Sequence, residues 1–212
     1  MRPWVLMRQA DIAFEEVLVR FDSFAPESEF KRTMATVSAA GKVPVLQDGD
    51  LRIWDSLAIA EYLAEKFPRH HLWPSDTALR ARARSVCAEM HSGFSALRSA
   101  CPMNIEADLP EVGRQAWENQ PALRADLNRI LALWSDLLNA HGGEMLFGHF
   151  TAADAFFAPV ACRIKTYQLP TTPLAQRYVD RLLNLESVCA WIEGARMEHD
   201  FRAFEEPYRQ QP

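Results

Sequence analysis

Asp55 and Ser56 are the residues of this 212-residue chain whose positions most clearly allow chemistry with a ligand. They precede an apolar pattern from Leu57 to Leu63 whose spacing predicts a helix, so the pair stands at a helix N-terminus. Unpaired backbone N–H groups and the positive end of the helix dipole favour an anion there, and the Ser56 hydroxyl is a further donor. The local pattern alone favours the alternative interpretation, in which Asp55 or Ser56 only caps its own helix.

Thiol, imidazole and metal chemistry find less support in the sequence. Four cysteines are far apart in the chain: Cys87, Cys101, Cys162 and Cys189. No Cys-x-x-Cys pair and no histidine cluster at metal-ligand spacing is present, so we expect four free thiols and predict no structural metal. Three of the cysteines lie in segments predicted to be helical, where a small core residue is the commoner role. His70 and His71 lie in a proline-bearing linker and are expected to be solvated.

The segment before Asp55 predicts a β-hairpin. The apolar run from Val43 to Leu46 contains Pro44, which indicates either an edge strand or a special peptide geometry such as a cis Val43–Pro44 bond. The Asp-Gly dipeptide that follows is typical of a hairpin turn, and Leu51–Trp54 is predicted to return as the second strand. The candidate helix start therefore follows directly on a hairpin.

This succession resembles the glutathione-binding half of glutathione transferases. The similarity lies in the Lys-Val-Pro-Val-Leu strand, the short hairpin and the helix start Asp-Ser-Leu-Ala-Ile-Ala-Glu-Tyr-Leu. It implies that the backbone of Val43 contacts the cysteinyl part of glutathione and that Asp55 and Ser56 receive its γ-glutamyl end. Lys42 is implied near the glycyl carboxylate, and Pro44 is structural. Asp55 replaces the glutamate common in the family, which shortens the reach of the carboxylate and preserves its charge.

The same resemblance implies two domains. The first, over residues 1–67, is an α/β thioredoxin-like N-terminal domain, and the second, over residues 78–212, is an all-α-helical C-terminal domain. Between the two domains, Pro68, Pro74 and a change of composition predict a linker at 68–77. In the first domain we expect a helix at Arg2–Ala10, a strand at Phe14–Phe21 and a helix within Phe24–Thr36.

A thioredoxin-like domain has one more strand before its first helix, and this strand is missing from the sequence. Removing the neighbour of a buried parallel strand leaves backbone groups unpaired, at about 1 to 3 kcal/mol for each group. We therefore hypothesise that Met1 is not the native start of the protein. The family's sulfur-activating Tyr, Ser or Cys would also precede Met1, so no catalytic residue is assigned. Arg2 lies nearest to that position, although an exposed terminal arginine is more often simply solvated.

Residues 78–100 predict one long helix with an apolar residue at every third or fourth position. In the family this helix borders the electrophile pocket, so the resemblance implies candidate pocket residues by location: Met90, His91, Phe94 and Arg98. Arg163 and Tyr167 lie late enough in a following helix to reach the same cleft. For the residues of the long helix, core packing or a solvated edge is the alternative interpretation.

Thr151 and Asp154 have the spacing of a reciprocal capping box, and Phe150 is available as a hydrophobic staple. This helix start also resembles the capping element of the second domain of glutathione transferases, which implies a structural and not a catalytic role for Asp154. Further helices are predicted at Pro121–Leu138, Ala175–Leu183 and Ser187–Arg196.

The composition excludes several classes of protein. A formal net charge of -5 without a long Lys/Arg block argues against a general nucleic-acid binder, although a local positive cleft is still compatible with it. No apolar run of about 18 residues is present for a membrane span, and the N-terminus lacks the order of a signal peptide. The cytoplasm is the expected location.

The resemblance implies an enzyme that binds glutathione as co-substrate and adds its thiol to a hydrophobic electrophile held between the two domains. Isomerisation, dehalogenation and peroxide reduction use the same thiol site, and family members commonly form homodimers. A non-catalytic binding or interaction protein of the same fold is the alternative, since no sulfur activator is assigned. A redox protein is less favoured because the first domain contains no cysteine.

Overall fold

The computed structural model describes residues 1–23, 25–38, 40–199 and 206. Its first part contains a two-stranded sheet and three α-helices, followed by a short 3-10 helix at Pro68–His70. The elements are α1 (Arg2–Gln9), α2 (Glu29–Val37), β1 (Val45–Asp48), β2 (Leu51–Trp54) and α3 (Ser56–Lys66). The hairpin and the helix that follows it are confirmed as predicted.

In the second part, the secondary-structure elements that the structure describes are all helices. These are α4 (Thr77–Ser92), α5 (Ser95–Ala100), α6 (Pro110–Asn119), α7 (Pro121–Ala140), α8 (Ala152–Tyr167), α9 (Pro173–Leu183) and α10 (Glu186–Glu198). Helix α8 packs against α1, α4, α6 and α9, so it lies at the centre of the molecule. An α/β part followed by an all-helical part is the architecture that the sequence predicts.

The hairpin is a simple antiparallel pair that rests on α3. Val45 pairs with Trp54 and Asp48 with Leu51, and Gly49 takes the positive φ of +59° that the turn between them requires. The Asp48 carboxylate accepts hydrogen bonds from the Tyr62 hydroxyl and the Lys66 ammonium of α3. These contacts hold the C-terminal half of α3 against the hairpin turn.

The prediction of a strand at Phe14–Phe21 is wrong. Within the described residues the only sheet is the β1–β2 pair, so this segment has no strand beside it to complete a hydrogen-bond ladder. Val17 is 77% exposed and Leu18 is 55% exposed. Side chains hold the segment on α1 instead, since the Trp4 indole donates to Glu16 and its ring meets Phe14 edge to face.

The long helix predicted at 78–100 is also corrected, because it is divided between α4 and α5. Phe94 takes a left-handed backbone conformation with φ of +56°, which an α-helix cannot contain. The side chain of Asp126, on α7, then accepts the backbone N–H of Leu97 at 3.0 Å near the start of α5. A tertiary contact therefore stabilises the new helix start.

The second helix lies within the predicted range apart from its last residue, Val37, and it begins at Glu29, where the Ser28 side chain accepts the backbone N–H of Lys31. Phe24, the first residue of that predicted range, lies outside the described residues. So do residues 200–205 and 207–212 of the predicted second domain.

One continuous core of buried apolar side chains reaches from Val5 in α1 to Val188 in α10. The segment predicted as a linker takes part in it: Leu72 is 3% exposed and its carbonyl accepts the backbone N–H of Ala152 at 2.9 Å. The two domain boundaries stay a prediction, and the contact between the two parts is extensive.

Across the described part of the chain, no helix combines the length and apolarity needed to cross a membrane. The four cysteines are free thiols, as predicted, and three of them are buried. His70 and His71 are exposed.

Candidate functional site

The N-terminus of α3 is built by Asp55 and Ser56, and the two residues have different partners. Asp55 is the capping residue, with φ of +76°, and its Oδ1 accepts the backbone N–H groups of Leu57 at 2.7 Å and Ala58 at 3.4 Å. The capping interpretation is therefore confirmed for Asp55. Ser56 is the first helical residue and is 7% exposed, and its hydroxyl has no hydrogen-bond partner among the residues described by the structure. This hydroxyl is free to contact a ligand.

The second oxygen of Asp55 is held by the helical part of the chain. His91, at the end of α4, has its Nε2 at 2.7 Å from Asp55 Oδ2. On the other side of the same ring, Nδ1 lies 3.0 Å from Nη1 of Arg2. Because a guanidinium only donates, Nδ1 must accept and Nε2 must carry the proton that it donates to Asp55. The three side chains form a continuous hydrogen-bonded series from α1 through α4 to α3.

The helix N-terminus and His91 together favour the charged form of the Asp55 carboxylate. Partial burial alone would raise the pKa of Asp55, but the Leu57 N–H bond, the nearby His91 and the Ala58 N–H bond outweigh it, so the pKa lies below its ordinary value. Arg2 is half-buried, and burial followed by the neighbouring Arg98 and Arg163 lowers its pKa to about 10. Arg2 is still cationic at neutral pH, so the site contains one carboxylate and one guanidinium joined by an imidazole.

The strand edge beside α3 is open. Lys42 and Val43 are exposed, Val43 by 59%, and both precede the first hydrogen-bonded residue of β1. The Val43–Pro44 bond is cis, which confirms the special peptide geometry that the sequence offered as one of two alternatives. The backbone of Val43 is thus outside the β1–β2 ladder and accessible to a ligand.

The predicted pocket residues fall into two groups. Met90 is 1% exposed, Phe94 is 7% exposed and Tyr167 is fully buried, with its hydroxyl donating to the Pro102 carbonyl at 2.9 Å. These three side chains lie in the core. Arg98 is exposed and donates to the backbone carbonyl of His91 at 3.4 Å, and His91, also among the candidates, contacts Asp55 directly.

The sequence did not predict that Arg2 and His91 contact the Asp55 site. The sequence did indicate that both residues lie near a ligand site, since Arg2 is at the start of the first helix and His91 is among the pocket candidates by location. The three residues are distant in sequence, however, and only the packing of α1, α3 and α4 brings their side chains together. Thr151 and Asp154, in contrast, form the predicted reciprocal capping box at the start of α8, away from this site.

A family model described as Glutathione S-transferase, N-terminal domain, matches residues 1–65. The chain is 34% identical over 121 residues to Glutathione S-transferase 1 of Dianthus caryophyllus, a match that covers 56% of this chain and 52% of that protein. It is 30% identical over 158 residues to Glutathione S-transferase Z1 of Arabidopsis thaliana, covering 74% of this chain and 67% of that protein. These matches span about half to two thirds of the length of the relatives.

Among solved structures, a glutathione transferase homologue from Burkholderia with bound glutathione has a TM-score of 0.66 to this chain at 26% identity. The alignment covers 92% of this chain and 90% of that one. The likeness therefore extends over both the α/β part and the helical part.

Proposed function

Because the chain belongs to the glutathione S-transferase superfamily, we propose that it binds glutathione at the N-terminus of α3 and adds its thiol to a hydrophobic electrophile. The observation that supports the binding site most directly is that a charged Asp55 and a Ser56 hydroxyl without a partner among the described residues lie side by side at one helix start. The exposed strand edge at Val43 lies in the same hairpin–helix unit.

Each group of the tripeptide has a complementary group in this proposal. The γ-glutamyl ammonium pairs with the Asp55 carboxylate, and the γ-glutamyl carboxylate accepts the hydroxyl and the backbone N–H of Ser56. The cysteinyl backbone pairs with the free main-chain groups of Val43, and Lys42 lies near the glycyl carboxylate. Helix dipole, hydroxyl and carboxylate together orient the zwitterionic end of glutathione.

The proposed reaction forms one bond and breaks one bond. The glutathione thiolate attacks an electrophilic carbon, a carbon–sulfur bond forms, and a leaving group such as chloride departs with its electron pair. The thiol proton goes to solvent. The thiolate needs a positive field that lowers its pKa, and the proposed position of the sulfur near the start of α1 lies beside the Arg2 guanidinium.

Removal of the Ser56 hydroxyl tests the binding site. We expect Ser56→Ala to weaken glutathione binding about tenfold in isothermal titration calorimetry, because one charge-assisted hydrogen bond to a carboxylate is lost. The unfolding midpoint should change little, since the hydroxyl has no partner among the described residues.

Ser75→Ala, at an exposed serine outside the site, is the matched control and should leave the affinity for glutathione unchanged. An equal affinity of Ser56→Ala and the unmodified chain would reject the proposed contact between this hydroxyl and the ligand.

A non-catalytic glutathione-binding protein is the second candidate. It is supported by the lack of an assigned residue that activates the sulfur of glutathione. Burial raises the pKa of Cys101 to about 12 and that of Cys162 to about 11, so neither cysteine is a thiolate at neutral pH. Turnover of a chloronitrobenzene with glutathione distinguishes the two candidates. Conjugate formation supports the enzyme, whereas retention on immobilised glutathione without turnover supports the binding protein.

Because members of the family commonly form homodimers, we also propose that this chain is a cytoplasmic homodimer. Light scattering in solution should then give twice the chain mass of 24.1 kDa. A mass equal to that of one chain would contradict the dimer and would leave the glutathione site untouched.

A further inference from the structure

Three arginines, on α1, α5 and α8, are connected through contacts with His91 and with the end of α5. Arg2 extends from the first residue of α1, and its Cζ lies 5.1 Å from the ring centroid of Phe156 in α8. Two turns further along α8, Arg163 projects from the same side of that helix. Its Nε donates to the Cys101 carbonyl at 2.9 Å, at the end of α5.

Arg98 completes the group from α5. It lies one turn before Cys101, the residue whose carbonyl Arg163 contacts, and its Nη1 approaches the His91 carbonyl at 3.4 Å. His91 is also the residue whose ring accepts from Arg2. Arg98 therefore shares His91 with Arg2, and Arg163 contacts the end of the helix that carries Arg98. We call the three the arginine cluster.

The partners of the arginine cluster are neutral. Arg2 donates to an imidazole, and Arg98 and Arg163 donate to backbone carbonyls, including that of Pro159. None of the three reaches a carboxylate at ion-pair distance within the described ranges, and Asp55 is separated from Arg2 by the His91 ring. A guanidinium has five donors and none of the three uses all of them on these partners.

The positive charges of the cluster repel one another, and burial together with this repulsion lowers the pKa of two of its arginines. Burial, then Arg98 and Arg163, lower the pKa of Arg2, and burial, then Arg98, lowers the pKa of Arg163. Asp55, beyond the His91 ring, offsets part of this repulsion at Arg2. A bound anion would relieve the rest and would also pair with the unused donors. Planar guanidinium groups match the oxygens of a carboxylate in a bidentate manner.

We propose that the arginine cluster binds a carboxylate of the second substrate, so that this enzyme selects electrophiles that carry a negative charge. The inference rests on the proposed function. It follows from position, because the cluster adjoins Asp55 through His91 and lies on the α4, α5 and α8 side of the glutathione site, where the electrophile would enter. A neutral hydrophobic electrophile would leave the donors of the cluster without a partner.

Two conjugates of equal shape test this selection in the full chain without requiring turnover. S-(p-carboxybenzyl)glutathione carries the charge, and S-(p-carbamoylbenzyl)glutathione replaces the carboxylate by an uncharged amide. We expect the carboxylate to bind at least about tenfold more tightly in calorimetry at low salt, and we expect this ratio to shrink as ionic strength rises.

Single substitutions then locate the selectivity. Arg98→Gln is the first choice because the side chain is exposed, and Arg163→Gln is the second. Each should reduce the affinity ratio severalfold with little change for the carbamoyl conjugate, and Arg98→Lys should retain part of it. Arg129→Gln is the control, because Arg129 pairs with Glu89 on an exposed surface and should leave the ratio unchanged.

The outcomes separate the inference from the proposed function. Equal binding of both conjugates by the unmodified chain would overturn the inference while the glutathione site stands. If Arg98→Gln weakens the binding of both conjugates equally, the cluster binds the carboxylates of glutathione itself. That result would also overturn the inference. If neither conjugate binds, the proposed glutathione site fails as well.

Discussion

Helix α8 and the β1–β2 hairpin are opposite extremes of burial in the same chain. All residues of α8 except Arg163 and Lys165 are buried, whereas neither strand of the hairpin contains a fully buried residue. The core around α8 therefore holds most of the folding free energy, and the hairpin keeps main-chain and side-chain groups available for a ligand. Substitutions in the first region should change stability, and those near the second should change affinity.

The largest effect is expected at Asp154, whose side chain is fully buried. Its two oxygens accept four hydrogen bonds, from the Leu146 N–H, the Tyr178 hydroxyl and both the N–H and the hydroxyl of Thr151. Asp154→Ala leaves several buried donors unpaired and should lower the free energy of unfolding by about 3 kcal/mol or more. Urea denaturation followed by circular dichroism measures this loss.

Asp136→Ala, on the exposed side of α7, is the control for Asp154 and should change the unfolding midpoint very little. A loss of only about 1 kcal/mol for Asp154→Ala would correspond to a helix cap alone, and it would contradict the wider structural role.

Gly113 should give the next largest effect, because α6 approaches α8 there without room for a side chain. A Cβ at this position would lie 1.8 Å from the Tyr167 carbonyl oxygen, which is backbone and cannot rotate away. We expect Gly113→Ala to destabilise the protein by about 2 to 3 kcal/mol in thermal or urea unfolding.

Gly194 provides a matched control for Gly113, since it also lies within a helix and its Cβ would meet open space. Gly194→Ala should stabilise the protein by about 0.5 to 1 kcal/mol through helix propensity. A shift of the unfolding midpoint in the same direction by both alanines would contradict the close contact of α6 with α8 at Gly113.

His91 connects the two regions, so its substitution should separate affinity from stability. His91→Phe removes the donor to Asp55 and the acceptor for Arg2, and Asp55 is then free to turn away from the proposed γ-glutamyl ammonium. We expect glutathione to bind about three- to tenfold more weakly, with an unfolding midpoint close to that of the unmodified chain.

Glu89→Gln is the control on the same helix, because it changes a charge that faces Arg129 and not the site. Calorimetry that finds unchanged glutathione affinity for His91→Phe would show that the series from Arg2 to Asp55 does not position the ligand.

The smallest effect is expected for the ion pair between Arg84 of α4 and Glu61 of α3. Its geometry is bidentate, with distances of 2.7 and 2.6 Å, but the side chains are 47% and 30% exposed. Solvent and salt screen such a pair, so Arg84→Gln should lower the free energy of unfolding by about 0.5 kcal/mol. A loss above about 2 kcal/mol would show that this surface contact joins the two parts more strongly than its exposure suggests.

The sequence by itself determined the features that depend on neighbours along the chain. The Asp-Gly turn, the alternatives for Val43–Pro44, the Asp55 helix start and the capping box of Asp154 each involve a few consecutive residues, so local rules of backbone conformation and hydrogen bonding suffice. The division into an α/β part and a helical part follows from the same local patterns. The resemblance in the hairpin and α3 then supplied the family.

Only the tertiary structure decided what lies beside what. The strand predicted at Phe14–Phe21 depends on a partner strand, the break at Phe94 depends on Asp126 of another helix, and the burial of Met90 and Tyr167 depends on how the helices pack. The contacts of Arg2 and His91 with the Asp55 site are of the same kind. Such contacts join residues far apart in sequence, and their free energy exists only once the core has brought the helices together.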